Sequence, residues 1–161
     1  ERVRELVKDP GLTVGPRAEA LLFAAARAQL VEERIRPLLA AGRWVLLDRF
    51  VDSSLAYQGA ARGLGVEEVA ALNRFGTGDL TPHRTLLLRI DPWTGAARQG
   101  ERGDGADRLE QEGDAFQAAV AAAYDALAAG DPGRFRVLDA SRPPDKVLTA
   151  ALQAVSDLVA A

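Results

Sequence analysis

Apolar residues along this chain fall into two kinds of run. From Pro16 to about Ala41, Leu21, Leu22, Ala25, Leu30 and Ile35 keep roughly helical spacing, which predicts a long helix that Pro37 bends or locally breaks and Gly42 ends. Gly11 to Gly15 reads as a loop before it, and Pro16 suits a first helical turn. Helical spacing returns over Val66–Phe75, Leu109–Ala129 and Pro144–Val159, the last with Val147, Leu148, Ala151, Val155 and Leu158 on one side. Residues 52–62 read as helical or partly so, ending near Gly63 and Gly65. The other runs are short and continuous: Trp44-Val45-Leu46-Leu47, Thr85-Leu86-Leu87-Leu88 and Phe135-Arg136-Val137-Leu138. Such runs fit strands buried on both faces. Strands separated by helices predict an α/β fold, a parallel sheet flanked by helices, with ligands beyond the strands' carboxyl ends. Asp48 and Arg49, directly after the first run, are thereby placed at a ligand mouth. Neither an internal repeat nor a break in composition divides the chain, so a single domain over residues 1–161 is expected.

Composition narrows the chemistry. Net charge is -3 and the isoelectric point about 5.2, so there is no general attraction for nucleic acid or an anionic membrane, and any anion site must be local. There are no cysteines, which excludes disulfides, thiolate zinc sites and cysteine nucleophiles, and the single histidine, His83, cannot build a histidine metal cluster. No apolar run is long enough to span a bilayer and no signal peptide is visible, so a cytoplasmic protein is expected. Glu1-Arg2-Val3-Arg4-Glu5-Leu6-Val7 reads as a helix already under way, without a cap or a methionine. That predicts an N-terminus missing through truncation, disorder or an incomplete gene.

Three groups of residues can carry chemistry. Asp48-Arg49-Phe50, followed by Ser53, Ser54, Tyr57 and Gln58, offers an acid for magnesium or for an attacking oxygen and a planar fork for phosphate. The same pair can equally cap a strand end. Phe23 and Arg27 share a helix face, so a ring can stack on a base while the arginine donates to a base carbonyl. Alternatively Phe23 is core and Arg27 solvated. Arg98, Arg102 and Arg108 lie in or beside a segment rich in glycine and charge between Thr94 and Ala106, which reads as a mobile surface segment. Arginines there can stabilise a transferring phosphoryl group, or form a solvated basic loop.

In this order, these residues resemble the bacterial thymidylate kinase family. The segments that carry the resemblance are Leu21-Leu22-Phe23-Ala24-Ala25-Ala26-Arg27, Asp48-Arg49-Phe50 through Ser53-Ser54-Leu55-Ala56-Tyr57-Gln58-Gly59, and Asp107-Arg108-Leu109-Glu110-Gln111-Glu112. The resemblance implies a P-loop NTPase-like nucleoside monophosphate kinase fold, transfer of phosphate from ATP to dTMP with Mg2+, and a homodimer packed through helices that include Arg17–Ala41 and Val66–Phe75. It implies that Arg4 and Arg49 hold the dTMP phosphate, Phe23 stacks on thymine and Arg27 reads a thymine carbonyl. It places Asp48 near the phosphates and magnesium, Ser53 and Ser54 at the base, Tyr57 beneath the deoxyribose, and Gln58 and Glu110 in the substrate pocket. Residues 94–108 look like the lid, with Arg98, Arg102 and Arg108.

The chain departs from the family in several places. It has no Gly-x-x-x-x-Gly-Lys-Ser/Thr loop, and it lacks the family's first strand and the second strand with its Glu-Pro-Gly turn. Arg89 and His83 stand where the family has Asp, Ala61 where it has Gly, and Ala121 where it has Arg. The chain as it stands is therefore expected to fold poorly and to transfer no phosphate. It is expected that either a further segment precedes these residues, or the three strands leave a gap in the sheet about two strand spacings, roughly 10 Å, wide where a central strand belongs. The competing expectations are a non-catalytic remnant that binds nucleotide or dimerises, and a kinase for another nucleoside monophosphate.

Overall fold

The computed structural model describes residues 3, 5, 9, 11–91, 94, 95, 109 and 112–159. They form two compact units, one within Glu1–Thr81 and Ala106–Ala123, the other within Pro82–Gly105 and Tyr124–Ala161.

In the first unit, helix α1 (Pro16–Leu30) opens on a proline and passes through a π turn, Val31–Ile35, into α2 (Arg36–Ala40). Pro37 explains the π turn. It has no N–H to give, and its ring crowds the carbonyl four residues back, so the ladder before it slips and Arg36 N–H bonds Val31 O. The expected break at Pro37 is thus a change of helical pitch, and the helix ends at Gly42 as expected. Residues 44–47 are not the expected strand. They pair with no ladder among the described residues, and Leu46 is 95% exposed. An apolar run supplies the side chains of a strand, but only a neighbouring strand supplies its hydrogen bonds.

Helix α3 (Val51–Ser54) runs straight into a second π segment, Leu55–Ala61, closed by Arg62 N–H on Tyr57 O at 2.9 Å. Helix α4 (Val66–Thr77) packs against both α1 and this π segment. It stops at Gly78 in the left-handed conformation (φ 56), and Arg36 caps it by donating to Thr77 O and Gly78 O at 3.0 and 2.8 Å. The unit's core is made largely of small and β-branched side chains: Ala20, Ala24, Val31, Ile35, Ala56 and Val69 are buried. Helix α5 (Asp114–Gly130) begins five residues later than its apolar spacing predicts. Gly113 O accepts the first helical N–H bonds, from Phe116 and Gln117, while the carbonyl of Leu109 is taken by the Gln117 side chain at 3.1 Å.

In the second unit, β1 (Thr85–Arg89) and β2 (Phe135–Asp139) pair in parallel, Thr85 opposite Phe135 and Arg89 opposite Asp139. Both were legible as apolar runs. Helix α6 (Pro144–Ala154) packs on β2. The expected single last helix is two pieces. Val155 leaves helical geometry (φ -116, ψ 2) before α7 (Ser156–Val159), and the Ser156 hydroxyl donates to Gln153 O.

Candidate functional site

Arg27 lies on the buried side of α1 with Glu19, Ala20 and Ala24, not on the solvated side. Its Nη1 donates to Asn73 Oδ1, and its Nη2 donates to Ser54 Oγ at 3.0 Å and Phe50 O at 3.2 Å. The guanidinium also sits 5.6 Å from the Phe50 ring centre. Burial pulls Arg27 down to about 10, with the Asp52 carboxylate acting the other way, so at neutral pH it still carries its charge. Three elements meet on this one side chain: α1 supplies it, the Phe50–Ser54 turn and α3 accept from one nitrogen, and α4 accepts from the other. Phe23 is half-buried one helical turn before it.

Asp48 and Arg49 are exposed and enter α3 through a bend. Arg49 holds φ 67, a left-handed conformation that a residue with a side chain adopts rarely and at a cost of about 1–3 kcal/mol. Its guanidinium lies 5.1 Å from the Tyr57 ring centre. Tyr57 in turn meets Phe116 edge to face, with ring centres 6.0 Å apart. The π segment carries Tyr57 and Gln58, and such segments recur at functional sites.

Behind them lies an ionic network that the residue pattern did not reveal. Glu19 is fully buried and accepts from Gln58 Nε2 at 2.8 Å and from Arg62 at 3.3–3.4 Å. Arg62 also pairs with Glu112 at 2.6 Å and lies 4.7 Å from the Phe116 ring centre. Burial alone would lower Arg62, but the carboxylates of Glu112 and Glu19 outweigh it and hold the arginine above its ordinary value.

Phe23, Arg27, Asp48, Arg49, Ser53, Ser54, Tyr57 and Gln58 all belong to the first unit, where Arg27 meets Ser54 and Arg49 meets Tyr57. Ser54 and Gln58 are buried and engaged, on Arg27 and Glu19 respectively. Arg4, Arg98, Arg102, Arg108 and Glu110 lie outside the described residues. Asn73, Glu19, Arg62 and Glu112 went unforeseen as partners. One signal was available: Asn73 falls one turn after Val69, and Glu19 one turn before Phe23, so each is a polar residue beside an apolar one on the same helix face. In the second unit, a cleft of about 410 Å³ at the carboxyl ends of the strands is lined by Arg89, Ile90, Asp91, Val137, Asp139 and Ser141.

No cluster of three or more His, Asp or Glu able to hold a metal occurs among the described residues. Asp48 is an exposed carboxylate at the bend before α3, an oxygen donor of the kind magnesium takes beside phosphate oxygens and water.

The sequence model of the family described as thymidylate kinase matches residues 1–151. The chain belongs to the thymidylate kinase family. It is 51% identical over 162 aligned residues to a thymidylate kinase of Halorhodospira halophila, covering 99% of this chain and 74% of that protein. A thymidylate kinase of Deinococcus radiodurans is 47% identical over 156 residues, covering 97% and 75%. One of Lactobacillus delbrueckii subsp. bulgaricus is 46% identical over 157 residues, covering 96% and 74%. Membership makes the helix-rich chain and its parallel sheet a P-loop NTPase-like kinase fold. Arg89, where the resemblance led to an expected Asp, is paired in two-pronged fashion with Asp125, both contacts 2.7 Å.

Proposed function

We propose that this thymidylate kinase family member phosphorylates dTMP to dTDP with ATP and Mg2+, in the cytoplasm, for dTTP synthesis. The observation that carries the reading is the Arg27 guanidinium, buried, charged and clamped by Asn73, Ser54 and Phe50 O one turn from the Phe23 ring. A donor-only fork beside an aromatic face suits a flat base that presents a carbonyl. Tyr57, under Arg49, suits a sugar that lacks the 2′-hydroxyl. Arg49 and Arg4 hold the acceptor phosphate. Asp48 holds the cation, which when bound draws charge off the phosphates. Arg98, Arg102 and Arg108, on a lid over residues 94–108 of a single kinase domain, neutralise the transferring group, and Ser53 and Glu110 complete the pocket. Catalysis is by positioning and charge stabilisation, without a covalent enzyme intermediate. No helix among the described residues is long and apolar enough to cross a membrane.

In a coupled ADP-release assay, Asp48→Ala and Arg49→Ala should each lose far more turnover than stability. Near-normal rates in both variants would overturn the assignment, and equal use of dTMP and UMP would favour a kinase for another monophosphate. A second reading rests on the lack of a Gly-x-x-x-x-Gly-Lys-Ser/Thr pattern in residues 1–161. In that reading these residues by themselves bind dTMP and transfer nothing.

A further inference from the structure

We propose that Asn73 is a positioning residue that aims Arg27 at the base and so sets the choice between a 4-keto and a 4-amino pyrimidine. The inference rests on dTMP being the substrate. A guanidinium has five N–H donors in one rigid plane. Fixing both terminal nitrogens fixes the roll of that plane, and with it the direction of the donors that remain. Ser54 Oγ and Phe50 O hold Nη2, and Asn73 Oδ1 holds Nη1.

Asn73 can do this because its own orientation is forced. It is 1% exposed, in the buried stripe of α4 with Val69 and Thr77. Its Nδ2 donates to Val69 O at 2.7 Å, so Oδ1 faces Arg27. Turning the amide over would set donor against donor at the arginine and acceptor against acceptor at Val69, in a place water does not reach. The chain of constraint runs from the α4 backbone through an amide to the arginine plane. A fork held this way rewards an acceptor at position 4 of the ring and meets an amino group there with N–H against N–H. Without Asn73 the fork can roll about its Nη2 contacts, and the penalty on the amino ring falls.

The test uses the full-length protein with Asn73→Ala and Asn73→Asp, which keeps an acceptor. The kcat/KM for dTMP relative to dCMP should fall about tenfold or more in Asn73→Ala, the usual effect of one hydrogen bond to a charged group, and recover in part in Asn73→Asp, which keeps the acceptor toward Arg27 but gives up the donor to Val69 O. In 15N-arginine NMR spectra, the separate Arg27 Hη signals expected of a clamped fork should merge in Asn73→Ala. A parallel fall for both nucleotides, with the ratio kept, would reduce Asn73 to a packing residue and overturn the proposal. So would Arg27 signals unchanged by Asn73→Ala. If Asn73→Ala fails to fold, the wild-type Arg27 Hη signals decide: separate resonances support the clamp, and a single averaged resonance overturns it. Failure of the wild type to turn over dTMP at all would remove the proposed function instead. The arginine signals would still decide whether Asn73 holds Arg27.

Discussion

Phe23 stands half-buried one turn before Arg27, so Phe23→Ala removes a flat apolar surface while leaving the arginine in place. Affinity for dTMP should fall by roughly 1–3 kcal/mol, the worth of one base stack, as read by calorimetry. A smaller loss would make Phe23 a core residue. Tyr57→Ala should instead relax discrimination against ribose monophosphates, which a dTMP-to-UMP ratio reads directly. In the second unit, the Ser141 hydroxyl and amide both donate to Asp139 and hold its carboxyl below the ordinary range, although the group is exposed. Its folded value is depressed, so the stabilisation is fully present above about 3.9, the unfolded value, and is lost as pH falls through the lower folded value. The Ser141 amide signal should titrate below the ordinary aspartate midpoint, and Asp139→Asn should abolish that step. At this scale the sequence showed which residue types were available but not what they face. Spacing put Phe23 and Arg27 on one face, yet it could not say whether Arg27 looked outward or inward. The deciding partners, Asn73 and Ser54, lie 46 and 27 positions away along the chain.

Elements were legible where their own side chains determine them and obscure where a neighbour does. The apolar runs at Thr85 and Phe135 became strands because they pair with each other, whereas Trp44–Leu47, a run at least as apolar, pairs with no strand among the described residues. Leu109 reads as helical by spacing, but a glutamine side chain claims its carbonyl and delays the helix to Asp114. Helix–helix approach hangs on Gly59, where an added Cβ would come 3.1 Å from Val66 Cα and 3.3 Å from Gly65 O, both backbone. Gly59→Ala should therefore push the π segment from the start of α4 and cost about 1–3 kcal/mol in denaturant unfolding. A neutral result would mean that the two elements yield.

At the scale of the molecule, several large apolar side chains of the first unit face outward, among them Phe75, 90% exposed, and Leu21 on α1. A homodimer packed through α1 and α4 would cover them, and Phe75→Glu should then shift sedimentation from dimer to monomer. Only monomer in the wild type at high micromolar concentration would contradict the dimer. Which surfaces meet a second copy is not written in a periodicity, because the same apolar stripe serves a core or an interface. The π segment at Leu55–Ala61 has one further consequence. A π turn is the form a helix takes when one residue more than a regular turn occupies the same rise. Removing a single residue there, anywhere between Gln58 and Ala61, would let the ladder close as an ordinary helix. The helices on either side would keep their relative phase, because the π turn is what absorbs the extra residue, and Arg62 would still reach Glu19 and Glu112. A one-codon deletion here should therefore be tolerated better than one within the regular helix α4, where the same loss turns everything downstream by about 100°.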